Sequence, residues 1–126
     1  MKQGKIFYFF GQNLLQMIET FEENNLQSQL LFHPNGKLLR EAHYVDWALD
    51  GIEKCYYPDG NCYKQSEYQN GQCHGTTIYY NTGGEVDCLL EFEKGEVVRK
   101  YVMSSLFSAL DGGGEENDAN DQEQFN

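Results

Sequence analysis

FHPNGKLLREAHYVDWALDGIEKC (residues 32–55), YYPDGNCYKQSEYQNGQCHGTTIY (56–79) and YNTGGEVDCLLEFEKGEVVRKYVM (80–103) follow one another in the chain, and their alignment decides its architecture. Written as three rows of 24, each begins with an aromatic residue, Phe32, Tyr56 or Tyr80. Each has glycine in the fifth place, at Gly36, Gly60 and Gly84, and an aromatic in the thirteenth, at Tyr44, Tyr68 and Phe92. Gly51 and Gly75 share the twentieth place, where the third row carries Arg99. Self-similarity at a fixed period of this length marks a repeat architecture, in which each row is one supersecondary unit.

Turn chemistry identifies the unit. Pro34-Asn35-Gly36 and Pro58-Asp59-Gly60 are tight-turn signals, with Gly83-Gly84 in the matching place. A second turn falls midway along each row, at Asp46-Trp47, Asn70-Gly71 and Lys94-Gly95. Two turns per row leave two strands of roughly six to eight residues each. Alternation along a strand then puts Leu38, Arg40, Ala42 and Tyr44 on one face. Cys62, Lys64, Ser66 and Tyr68 share that face in the second row, as do Val86, Cys88, Leu90 and Phe92 in the third. The expected fold is mainly β: a repetitive antiparallel β-hairpin meander forming a single-layer twisted sheet, with the aromatic columns stacked on one face as its core.

Two readings compete over residues 9–31. Aligning Phe9 with Phe32 puts Asn13 in the glycine column, Leu15 under Leu38 and Phe21 under Tyr44, which makes the segment a degenerate repeat one residue short. Leu14, Met17, Ile18 and Phe21, however, also fall at the i, i+3, i+4, i+7 spacing of an amphipathic helix. More columns match the repeat, and the strand pair is the favoured reading. Met103, Leu106, Phe107 and Leu110 again show helical spacing, and a short capping helix over about 103–110 would cover the end of the array. The expected organisation is one repeat domain over 1–110, followed by a tail over 111–126.

Charge separates these two parts. The chain has 126 residues and a net charge of -11. Residues 1–110 carry 14 acids against 9 bases, whereas DGGGEENDANDQEQFN (111–126) carries six acids and no base. Such a tail buries too little to offset its ordering entropy and reads as disordered, while the body is only mildly acidic. A chain of this charge is a poor direct binder of nucleic acid or of an anionic membrane surface. The apolar run Ile6–Phe10 is too short for a signal-peptide core or a bilayer span. Cys55, Cys62, Cys73 and Cys88 contain no CxxC pair and have no histidine at zinc-ligand spacing. They read as four reduced thiols, and the expected location is cytoplasmic, with no metal and no cofactor.

The pattern aromatic-x-Pro-Asn/Asp-Gly followed by Tyr-x-x-Gly-x-x-x-Gly is best formed by Tyr57-Pro58-Asp59-Gly60 and Tyr68-Gln69-Asn70-Gly71-Gln72-Cys73-His74-Gly75. It resembles the variant MORN repeat of bacterial antitoxin-like, YwqK-type proteins over residues 32–103, and more loosely over 9–31. The resemblance implies successive β-hairpins in an elongated sheet with an aromatic-lined groove, and work by protein contact, with antitoxin-like members neutralising toxin partners. The third row departs from the pattern: it lacks the proline, has Glu93-Lys94-Gly95, and carries Arg99 for glycine. The Gly-x-Trp element of eukaryotic MORN repeats is missing, so phospholipid binding does not carry over.

No catalytic set is evident. His33, His43 and His74 lack companions, and the expected role of His74 is a turn hydrogen bond. Ser104-Ser105 has no glycine-flanked elbow, and Gly83-Gly84 is not followed by a phosphate-loop Lys-Ser/Thr pair. The reading is therefore a non-enzymatic protein-binding module of antitoxin or immunity type. Its candidate anchors are Trp47, the only tryptophan, with Tyr44, Tyr57 and Tyr63, because aromatic residues dominate interface hot spots. Trp47 stands where the other rows use glycine; Tyr44 also has a place in the aromatic column. An alternative from another class is an acidic inhibitor in which Asp46, Asp50, Glu53, Asp59 and the acids of the tail imitate phosphates on a basic nucleic-acid-handling enzyme. A third is a MORN-type structural scaffold.

Overall fold

A computed structural model describes residues 3–103. Its elements are β1 (Gly4–Phe10), β2 (Leu14–Glu22), β3 (Asn25–Phe32), β4 (Leu38–Val45), β5 (Ala48–Leu49), β6 (Gly51–Tyr56), β7 (Cys62–Gln69), β8 (Gln72–Tyr80), β9 (Val86–Glu93) and β10 (Glu96–Val102). They form one open antiparallel sheet in the order β1-β2-β3-β4-β6-β7-β8-β9-β10, with the two-residue β5 pairing the end of β4. The meander inferred from the turns is the observed topology. The capping helix expected at about 103–110 and the tail at 111–126 fall essentially outside the described residues.

Residues 9–31 form strands, which resolves the two readings in favour of the hairpin β2–β3. The helical spacing arises because β2 is apolar on both faces. A bulge at Gln16 puts Leu14 on the same face as Met17 and Phe21, with Leu15 and Ile18 on the other, so a bulged strand reproduces the helical spacing. β1 goes beyond the expected repeat boundaries. Gly4 has φ +104°, close to Gly75 at +105° and Gly51 at +91°, so β1 is the trailing strand of a further, partial repeat.

The midway turns have a common backbone. Glu23-Asn24, Asp46-Trp47, Asn70-Gly71 and Lys94-Gly95 all have positive φ at both positions, the signature of the two-residue hairpin turn that matches strand twist. Near Gly75 the strand bulges. Tyr68 pairs with Cys73 and Ser66 with Thr77, so three residues of β8 oppose Glu67 alone. Glu67 fills the space above Gly75, where a Cβ would lie 2.7 Å from Glu67 Oε1, and that oxygen accepts a 2.8 Å hydrogen bond from Thr76 N–H. The positive φ favours glycine here, and a side chain would also displace the Glu67 carboxylate from its bond to Thr76.

The core differs from the expected aromatic stack. Buried positions form a line across the sheet on the predicted face, in which Glu53, Ser66, Thr77, Leu90 and Lys100 pair in turn, with Ala42 beside them. The aromatic columns Tyr44, Tyr68 and Phe92 flank this line and are half-buried. Small side chains at Ala42 and Ser66, 0% and 1% exposed, are covered by their larger neighbours in the same layer. A single-layer sheet has no second layer to seal it, so these side chains form a narrow floor between their larger neighbours.

Candidate functional site

The floor of this face is ionic. Arg40 Nε lies 2.5 Å from Glu53 Oε2, and Lys64 Nζ approaches the other carboxylate oxygen at 3.6 Å, just beyond hydrogen-bonding distance. Burial works against both cations, but the Glu53 carboxylate prevails and raises the pKa of each, so both remain charged at neutral pH. The network continues across the preceding strands. Tyr44 Oη donates to Gln29 Oε1 at 2.8 Å, Gln29 Nε2 donates to Glu19 Oε2 at 2.7 Å, and Tyr8 Oη donates to Glu19 Oε1 at 2.7 Å. Burial pushes the Cys55 thiol up, helped by Glu53, and Tyr68 is raised by burial and by its hydrogen bond with Cys73. Most of these groups engage one another, while the buried Glu53 Oε1 and Thr77 Oγ1 have no hydrogen-bond partner among the described residues. Together the groups constitute a structural polar floor that composition and period could not disclose, because Arg40 and Glu53 meet only through strand register.

The predicted anchors separate into two groups at opposite ends of the strands. Trp47 lies in the turn between β4 and β5 with φ +66° and 58% of its surface exposed. Its ring rests against the buried Phe21 of the preceding hairpin, with centroids 6.1 Å apart and planes inclined at 55°. A bulky residue in the left-handed region is an outlier worth about 1–3 kcal/mol of strain. Tyr44 lies near this end, its hydroxyl committed to Gln29. Tyr57 and Tyr63 lie at the other end, with ring centroids 5.2 Å apart, and Tyr57 Oη donates to the Tyr80 carbonyl at 2.8 Å. A strand of seven or eight residues, at about 3.3 Å per residue, separates the two groups.

The four acids are likewise dispersed. Glu53 is 5% exposed and paired with Arg40, so it faces the floor and not an outside surface. Asp50 Oδ2 accepts from Asn70 N–H at 3.3 Å. Asp59 is exposed, and its Oδ1 accepts from Asn61 N–H at 2.9 Å, bracing its own turn. Asp46 is exposed in the Trp47 turn with φ +52°. His74 meets the expectation of a turn bond: its Nδ1 accepts from Lys94 N–H at 3.4 Å. Cys55 and Cys88 are buried, Cys62 and Cys73 half-buried, and none of the four is joined in a disulfide. Among the described residues no three His, Cys, Asp or Glu side chains converge as metal ligands would, and no helix is long and apolar enough to cross a membrane.

Sequence reasoning missed Phe21 as the seat of Trp47. The available signal was its thirteenth-place position in the degenerate row, directly preceding the row that carries Trp47. Comparison with known proteins gives one family: the MORN repeat variant matches residues 28–46 and 49–70, which span β3–β4 and β5–β7. That match and the hairpin meander together support a MORN-repeat protein. No curated protein matches the chain.

Proposed function

We propose that this MORN-repeat chain is a non-enzymatic protein-binding module of antitoxin or immunity type, which clamps a partner protein through the end of the sheet that carries Trp47. One observation carries the reading. At a turn position where the later repeats place glycine, the chain holds a tryptophan in a left-handed backbone conformation and leaves 58% of it exposed. Packing against Phe21 fixes the ring, so little side-chain entropy remains to be lost on binding. Val45, 57% exposed, and Asp46 extend the patch. A rigid aromatic with a polar neighbour is the usual anatomy of an interface anchor. The partner surface would offer an apolar pocket for the indole and a positive rim for Asp46.

The test is capture of a partner from the native source at low and high salt. Retention at about 0.5 M salt, where screening shortens charge interactions to a few ångströms, and loss with Trp47→Ala is the expected result. A partner that dissociates in high salt and ignores Trp47→Ala would replace the aromatic clamp with an electrostatic contact. Capture of no protein overturns the binding role.

A further inference from the structure

We infer that the chain forms a two-fold homodimer by antiparallel pairing of β1 with β1 of a second copy, continuing the sheet across the molecular boundary. Among the described residues, β1 pairs only with β2, so its other edge presents unpaired main-chain groups. That edge carries little of what usually blunts one. Its sequence, GKIFYFF, has no proline and a single charge, and Phe7 and Phe9 are 52% and 51% exposed.

The topology specifies how a second copy would join. Nine strands lie along the hydrogen-bonded path, an odd number in an antiparallel sheet, so β1 and β10 run in the same direction. Head-to-tail addition of copies would therefore need a parallel β10–β1 contact. Antiparallel pairing requires like edges to meet, which generates a closed dimer.

Register and charge choose between the two edges. Full overlap of β1 with itself, Gly4 opposite Phe10, centres the two-fold axis on Phe7. On the face opposite the ionic floor, Phe7 pairs with Ile18, and Ile18 with Leu30. Joining two copies at Phe7 makes a continuous apolar ladder of six side chains, Leu30–Ile18–Phe7 from each. Lys5, the only charge on β1, falls opposite Phe9 of the other copy, so no like charges face each other. The equivalent full overlap of β10, Glu96 opposite Val102, centres on Arg99 and sets two guanidinium groups directly opposite. The aromatic edge therefore favours self-pairing, while the edge ending in Arg99 opposes it.

Sedimentation of the full chain across a dilution series tests this, with Phe7→Lys placing like charges on the two-fold axis. The expected result is a species of twice the chain mass that dissociates on dilution, and a monomer for Phe7→Lys with unchanged far-UV circular dichroism. A second variant covers the chance that Phe7→Lys unfolds the hairpin. Phe7→Cys should give a self-crosslinked dimer on mild oxidation, above the background of the four native thiols, whereas Arg99→Cys should not. A wild-type chain that stays monomeric at about 0.1 mM, about the loosest range for a specific contact, overturns the inference. So does a dimer that crosslinks through Arg99→Cys but not through Phe7→Cys.

Discussion

The two turn-bearing ends of the sheet do the same mechanical job with different chemistry. At the end formed by residues 33–37, 57–61 and 81–85, side chains tie each repeat to the next. His33 Nε2 donates to the Tyr56 carbonyl at 2.9 Å, Asn35 Nδ2 to the Pro58 carbonyl at 2.8 Å, and Tyr57 Oη to the Tyr80 carbonyl at 2.8 Å. At the other end the main chain does most of the work. Gly71 N–H donates to the Leu49 carbonyl at 2.8 Å, and Gly95 N–H to the Cys73 carbonyl at 2.9 Å. An end stitched by side chains has them committed; an end stitched by backbone leaves side chains open to other uses. Trp47 lies at the second end, where its ring on Phe21 contacts the preceding hairpin.

The largest break in this comparison should come from Gly75→Ala, beside the backbone-stitched end. Its left-handed φ and the Glu67 carboxylate in the space of the new Cβ predict a loss of about 2–3 kcal/mol, measured by urea unfolding. Gly60→Ala, at the side-chain-stitched end, keeps the left-handed strain but meets only Lys37 Cδ at 3.7 Å, and should cost about 1–2 kcal/mol. Equal losses at the two sites would show that strain, and not the Glu67 contact, sets the difference.

Tyr57→Phe removes one inter-repeat hydrogen bond while keeping the ring on Tyr63, and should cost about 1 kcal/mol. Trp47→Gly should have the smallest effect on stability, within about 1 kcal/mol of zero, because relief of left-handed strain offsets the lost contact with Phe21. A loss as large as that of Gly75→Ala would make Trp47 a structural residue and remove the reason for regarding it as an anchor.

The floor between the two ends gives a pH test that should involve neither. Cys55, Lys64 and Tyr68 all have raised pKa values in the folded chain, so above about pH 8 the folded state increasingly holds protons that the unfolded state releases, the Cys55 thiol first. Stability should be level from neutral pH up to that point and fall steadily above it. Thermal melts of the wild type from neutral to alkaline pH check this.

Much of this was legible along the chain. Period, both turn sets and the sidedness of Ala42, Ser66 and Leu90 follow from local rules, because alternation and positive-φ turns are properties of a few consecutive residues. The character of the floor was not, since an aromatic column at constant spacing suggests a stack. Burial is decided by how neighbouring strands slide, and bulges such as the one opposite Glu67 shift that register by amounts no local pattern records. The leading strand escaped because Gly4 belongs to a row whose first half has no counterpart among the aligned segments. Of the proposed anchors, solitary Trp47 was visible as a residue out of place; its seat on Phe21, 26 positions earlier, depended on two hairpins being packed side by side.

One consequence of the meander concerns how the molecule comes apart. The substantial contacts of every strand are with the strands immediately before and after it along the sheet. Stability is then a sum of nearest-neighbour couplings, and the chain behaves as a linear array with no single keystone. Low sequence separation between partners favours rapid growth from whichever hairpin forms first. Pulled from its ends, such an array should unzip hairpin by hairpin in small steps, and its local opening should be graded along its length.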